Sequence, residues 1–275
     1  MSTHAGWSLD QRNPEAIRAW LPIAAWFYRY YFRVQTSGWQ QIPAEGPVLL
    51  VGSHNGGLAA PDMNMAIYAW FKHFGTDRLA YGLAHPYLWQ YYPRVADFAA
   101  QLGAVRAHPK LAIAALRRGA SVLVYPGGAQ DLFRPYARRH QIELANRKGF
   151  IKLALREQVP IVPIISTGAH DTLVILAEFY EPLQQLLQTL NLDWPFGIDP
   201  LVFPIYLGLP WGISVGPLPN IPLPVSLQIQ VCPPIEFDWS GREAVRDPDY
   251  VDQCYAQVQS TMQAALDTLV ASISG

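Results

Sequence analysis

Apolar residues fall along this chain in two patterns, short unbroken runs and longer stretches in which they return every three or four positions. Val48 to Val51 is a run of the first kind, bounded by Pro47 and Gly52, and Leu79 to Leu83, Ser121 to Tyr125, Ile161 to Ile165 and Leu227 to Val231 are others. Runs this short and this rich in β-favouring residues predict buried strands. Asn64 to Phe74, Lys110 to Arg118 and Asn146 to Gln158 have helical periodicity, and Gly75 and Gly119 supply natural stops for the first two. Strands alternating with helices predict parallel crossovers, hence an α/β fold with a mixed, largely parallel central sheet flanked by helices. Past Asp193, prolines at 195, 200, 204, 210, 217, 219, 222 and 224 argue against long regular elements. A helix from about Asp249 to Ile273 closes the chain.

The first periodic stretch, Ala16 to Phe32, reads AIRAWLPIAAWFYRYYF and is dense in aromatic residues. It is too short, and too charged at its ends, to span the roughly 20 apolar residues of a bilayer helix. Arg18, Arg29 and Arg33 beside indole and phenol rings suit a helix lying in the headgroup region. The same amphipathic pattern suits a helix packed on the sheet. Pro22 sits in its first turns or kinks it.

Composition bounds what such a fold can do. About half of the residues are hydrophobic and only 15% are charged, so a single domain over residues 1–275 has ample core, and an apolar surface facing a membrane is expected. A net charge of -1 argues against a nucleic-acid partner. Cys232 and Cys254 lack metal or disulfide-framework spacing, which points to a reducing compartment. No signal peptide is expected, because Asp10, Arg12, Glu15 and Arg18 interrupt the opening segment.

The candidate chemistry begins where the first strand ends. His54 lies in a glycine-flanked loop, and the carboxylate of Asp62 arrives as the next helix begins. A histidine there can take a proton from a hydroxyl if an acid fixes its tautomer. Alone, the pair fits equally a loop histidine beside a helix-capping aspartate. Gly127 and Gly128 follow the clearest strand and can offer N–H groups to an anionic oxygen; Arg106 can bind a substrate oxygen or a phosphate. Arg134, Arg138, Arg139, Arg147, Lys148, Lys152 and Arg156 form a basic cluster, fit either for a solvated face or for an anionic donor or lipid headgroup. The serine-hydrolase elbow, a Walker loop, a dinucleotide-binding glycine triplet and metal-ligand histidine spacing are all missing, so no metal is expected.

Taken in order, four blocks resemble the glycerolipid and lysophospholipid acyltransferases that carry an H-x4-D motif. They are His54 with Asp62, Gly103 to Arg106, Tyr125 to Gly128, and Val159 to Ile164, and they occupy about residues 45 to 170. Seven residues separate His54 from Asp62, and the third block reads Pro-Gly-Gly-Ala-Gln-Asp with Arg147-Lys148-Gly149-Phe150 downstream. Both details are similar to the diacylglycerol-acyltransferase-like branch, which often has glutamate where this chain has Asp131. The resemblance implies a glycerol-phosphate-acyltransferase-like fold. It also implies acyl transfer from acyl-CoA or an acyl carrier protein to a lipid hydroxyl, diacylglycerol or a similar neutral alcohol being favoured over lysophosphatidate, with no bound cofactor. His54 would be the general base oriented by Asp62, with Gly127 and Gly128 near the oxyanion or donor and Arg106 near the acceptor; Asp131, Arg147 and Lys148 join the substrate-binding set. The amino-terminal helix, within residues 1–34, would give peripheral access to membrane lipid on the cytoplasmic face, and the proline-rich segment 194–224 would shape the acceptor pocket. A non-catalytic lipid-binding protein and a thioesterase are the rival readings. Oligomeric state is not legible.

Overall fold

A computed structural model describes residues 5–194 and 199–274; Pro195, the first four residues of the amino-terminal segment, and part of segment 194–224 therefore lie outside the described residues. In chain order the strands are β1 (Gln35–Ser37), β2 (Leu49–Gly52), β3 (Ala80–Ala84), β4 (Ala104–Arg106), β5 (Ser121–Val124), β6 (Ile161–Thr167), β7 (Val174–Glu178), β8 (Pro204–Gly208), β9 (Gly212–Val215) and β10 (Gln228–Val231). The helices are α1 (Pro14–Trp26), α2 (Pro61–Phe74), α3 (Tyr87–Tyr91), α4 (Pro93–Gln101), α5 (Pro109–Arg117), α6 (Gly128–Leu132), α7 (Gly149–Glu157), α8 (Tyr180–Thr189), α9 (Arg242–Arg246) and α10 (Pro248–Ser274).

Seven strands form one sheet in the order β1-β10-β6-β2-β5-β3-β4, with β6, β2, β5, β3 and β4 mutually parallel and β10 antiparallel to β6. Both faces are covered, which is why the central strands read as unbroken apolar runs. Leu49 and Val51 of β2 face α5, α7 and α10, whereas Val48 and Leu50 face α1 and α2. The predicted helix from Asn146 begins three residues later, because Ala145 and Asn146 both take positive φ and Arg147 and Lys148 lead into the first turn.

The amino-terminal element packs on the sheet through one side and leaves aromatic residues exposed on the other. Ile17, Tyr28 and Phe32 are buried in the cluster packed on the sheet, while Ile23, Trp26 and Tyr30 point outward. Pro22 sits inside α1 rather than in its first turn, and the helix passes at Phe27–Tyr31 into a π-helical turn. Beyond the sheet, β7, β8 and β9 make a separate antiparallel sheet of three strands over Phe133, Leu173 and Val202. Pro204 opens β8 and Pro210 sits in the β8–β9 turn, so these prolines bound short strands instead of preventing them.

Candidate active site

Because β2, β5 and β6 are adjacent and parallel, the loops leaving their carboxyl ends meet. The exit of β2 brings Ser53, His54 and Asn55, that of β5 brings Tyr125 and α6, and that of β6 brings His170. The His54 ring stacks on Tyr125 at 3.7 Å between centroids and 14° between planes. Gly52 is required for this packing, since a Cβ there would enter the Tyr125 ring. Beyond His54, Gly56 and Gly57 both take left-handed φ and turn the chain back so that α2 starts at Pro61.

That reversal brings Asp62 to His54. Nδ1 of His54 lies 3.8 Å from Oδ1 of Asp62, ion-pair range but longer than a hydrogen bond. Neither atom has another partner, although both are buried. The second oxygen, Oδ2, accepts the backbone N–H of Asn55 at 3.1 Å, which fixes the carboxylate against the loop. A closure of about 1 Å would complete the hydrogen bond.

Beneath the loop sits a polar cluster that spacing does not reveal. Asp131 is 0% exposed and Arg134 1%. Asp131 accepts from the Ser53 hydroxyl at 3.0 Å, from the backbone N–H of His54 and from Arg134 Nη1. Arg134 also donates to Ser53 Oγ at 3.3 Å and, through Nη2, to Asn55 Oδ1 at 2.8 Å. The same Nη2 lies 2.9 Å from Nε2 of His170; since a guanidinium only donates, Nε2 must accept, which puts the His170 proton on Nδ1. Burial, with Arg134 next, pushes His170 down to about 2, so it stays neutral. Thus the residues on either side of His54 are held by one arginine and its own amide by one aspartate.

These contacts correct several expectations. Asp131 is a loop anchor and not a substrate contact, because it is wholly enclosed. Arg134 is no part of a basic face, and the cluster it was read into splits. Lys148 pairs with Asp252 of α10 at 2.5 Å, and Arg139 lies over the Tyr136 ring. Arg106 stands on the edge strand β4, three strands and about 14 Å from β2. It donates through Nε to the Ala5 carbonyl at 3.1 Å and lies between the Trp7 and Trp89 rings, held by the amino-terminal segment and not beside His54. The Gly128 N–H already donates to the Tyr125 carbonyl at 3.2 Å in a turn and is not free for an oxyanion. What Gly128 provides is room. A Cβ there would meet the Arg147 guanidinium, which donates to the Pro126 carbonyl at 3.0 Å. Arg147 therefore does reach the glycine turn, and its charge, after burial, helps lower His85 across the mouth.

Burial raises Asp131 to about 7 against the opposing pull of Arg134, His54 and Ser53. An acid whose folded value exceeds its unfolded value of about 4 contributes stability that is present in full below that value and lost as the pH rises through the folded one. Unfolding free energy measured in urea is accordingly expected to fall between about pH 4 and pH 7 more steeply in the native chain than in Asp131→Asn. Parallel pH profiles for the two proteins would contradict the assignment.

The family model for diacylglycerol acyltransferase matches residues 90–203. The crystal structure of the 1-acyl-sn-glycerophosphate acyltransferase PlsC from Thermotoga maritima superimposes with a TM-score of 0.51, covering 94% of this chain and 84% of that one at 17% identity. Human diacylglycerol O-acyltransferase 2 is 38% identical over 53 residues, 19% of this chain and 14% of its own. Residues 90–203 thus match the diacylglycerol acyltransferase model, and the chain shares the fold of the PlsC structure. An uncharacterized protein of Mycobacterium tuberculosis is 28% identical over 251 residues, 91% of this chain and 65% of that protein, so the chain spans slightly less than two thirds of that relative's length. The family match includes Tyr125 to Arg134 and the β5 exit, whereas His54 and Asp62 precede it.

Proposed function

We propose that this chain transfers a fatty acyl group from a thioester to the hydroxyl of a membrane lipid, a diacylglycerol or similar neutral alcohol being favoured. The observation that carries the reading is the buried pair His54 Nδ1 and Asp62 Oδ1, each without another partner, next to an apolar cavity. His54 takes the acceptor's hydroxyl proton as its oxygen attacks the thioester carbonyl. Asp62 holds the imidazole tautomer and stabilises the imidazolium. The tetrahedral intermediate then expels the thiolate, which recovers the proton from His54 and leaves the ester. Tyr125, kept protonated by burial and by the charges of Asp62 and Asp131, is a neutral wall to this exchange. Arg147 at the glycine turn is the cation placed to meet an anionic donor, CoA or a carrier-protein arm.

The cavity has a volume of about 150 Å³ and lies between α1, α2 and the sheet, lined by Trp20, Leu50, Met63, Ile67 and Gly82 among others; Tyr125, stacked on His54, also lines it. We assign it to the acyl chain. A Cβ at Gly82 would meet nothing within 4 Å, so a larger side chain there points into open space. Gly82→Leu is expected to shift preference toward shorter thioesters while leaving folding intact, read as kcat/KM across a chain-length series. An unchanged preference would place the chain elsewhere.

Among the described residues no helix is long and apolar enough to cross a membrane. Peripheral attachment through the outward face of α1 and its π-helical turn fits Trp26 and Tyr30, with Arg29, Arg33 and Lys72 lining the adjoining groove. Removing residues 1–34 is a poor test of that attachment, since Ile17, Tyr28 and Phe32 belong to the core. Attachment on the cytoplasmic face is part of the same reading.

The direct test is to incubate purified protein with labelled acyl-CoA or acyl carrier protein and a panel of lysophosphatidate, diacylglycerol, long-chain alcohol and prenylquinol, and to identify the ester. Release of free fatty acid with no ester would replace transfer by hydrolysis.

A further inference from the structure

Between Arg156 and Arg242 the sequence contains no lysine and no arginine. The sheet of β7, β8 and β9 lies inside this stretch. Its inner face buries Ile175 and Tyr206. Its outer face pairs Leu207 with Ile213 and Ile205 with Val215, and Ile213 is 73% exposed. An antiparallel sheet with one solvated face ordinarily alternates apolar inside and polar outside; here both faces are apolar. The β8–β9 turn continues the pattern with Leu209 and Trp211, both exposed, where turn residues are ordinarily polar. The Trp211 indole N–H is satisfied by the Pro219 carbonyl at 2.7 Å, which leaves the ring apolar to its surroundings.

We propose that the outer face of this hairpin beds into the boundary between headgroups and acyl chains of an uncharged lipid surface. Charge selects this partner: the stretch between Arg156 and Arg242 carries eight carboxylates, Glu178 and Glu181 on or beside the hairpin sheet among them, but no lysine or arginine, so neither an acidic protein nor anionic headgroups would be attracted. Position supports it. Ile221, exposed, bridges to Leu209, and the next residues join the amino-terminal aromatic turn, with Tyr31 donating to the Pro222 carbonyl at 2.7 Å and Arg33 to Ser226 Oγ at 3.2 Å. The hairpin face is therefore linked to the outward face of α1 through one short segment. That segment also holds the His54 loop, because Asn220 accepts from the Ala59 N–H and donates to the Gly56 carbonyl, each at 3.3 Å. Depth is limited, since β7 and β9 are edge strands whose outer backbone groups need water, so only side chains enter the hydrocarbon.

The inference deepens the acyl-transfer reading by naming how the site meets its lipid, and its test separates the two. In the full chain, a bimane probe is attached at Ile213→Cys and, as control, at Glu243→Cys on α9; the native thiols are buried and stay in place. With vesicles of phosphatidylcholine alone, the probe at 213 is expected to shift to the blue and to be quenched by nitroxide-bearing acyl chains, equally at low and high salt, while the control stays aqueous. A probe at 213 that remains aqueous on vesicle-bound protein overturns the proposal. So does one that becomes buried without lipid as the molar mass doubles, which would make a second copy the partner. The variant Leu207→Glu with Ile213→Glu is expected to keep transfer to acceptor in detergent micelles and to lose about tenfold or more on vesicles; equal loss in both overturns the docking role. If the native chain transfers no acyl group at all, the acyl-transfer reading fails and the probe result alone decides the lipid surface.

Discussion

His54→Ala is expected to lower acyl transfer by about 10²–10⁴-fold, the range that a positioned general base supplies. The ring's stacking on Tyr125 contributes on the order of 1 kcal/mol, so stability should fall only modestly, and circular dichroism should be unchanged. Steady-state rates of ester formation, with whichever acceptor of the panel the native chain esterifies, check this directly. Asp62→Asn is the informative companion, because the carboxamide still accepts the Asn55 N–H and keeps the loop in place. Its rate should fall as well, with the loss in kcat rather than in KM, since the interaction removed strengthens as the imidazolium forms. Native-like turnover in His54→Ala would sink the dyad outright.

The largest stability effect should come from Arg134→Met. It leaves Asp131 fully enclosed without its cation, and breaking a buried pair in this way typically costs about 3–5 kcal/mol. Urea denaturation should show the loss as a lower midpoint. Adding Asp131→Leu removes the stranded acid and should restore part of the stability, because a buried ion pair and an apolar pair of similar volume are often nearly equivalent. Transfer should not return with it: the double variant still lacks the acceptor for the Ser53 hydroxyl and the His54 amide. Recovery of stability and activity together would mean that the Arg134–Asp131 pair does not position the loop.

The parts of this molecule that were legible in its sequence are those set by local pattern. Strands buried on both faces announce themselves as apolar runs, and His54 and Asp62 lie close enough along the chain for a glycine-rich loop to bring them together. Arg134 illustrates what was not legible. It lies close to the arginines of a basic-looking segment, and only the adjacency of β2, β5 and β6 turns it inward, against Asn55 and His170 that are far from it in sequence. Arg106 fails for the converse reason, since nothing local says that β4 is an edge strand wrapped by Trp7. The second sheet was hidden by its prolines, which mark the limits of β8 and the turn after it but read as a general bar to regular structure.

The cation-free stretch also governs how this protein can be observed. Trypsin finds no bond to cut between Arg156 and Arg242, so the whole hairpin sheet leaves as one long peptide from Glu157 to Arg242, folded or not. Amine-reactive cross-linkers pass over the same surface. Peptide maps will therefore report on α1 through Arg18 and lysine labelling on α7 through Lys152, both staying blind to the hairpin, whereas chymotryptic cleavage beside Trp211 or carboxylate-directed labelling at Glu181 will see it.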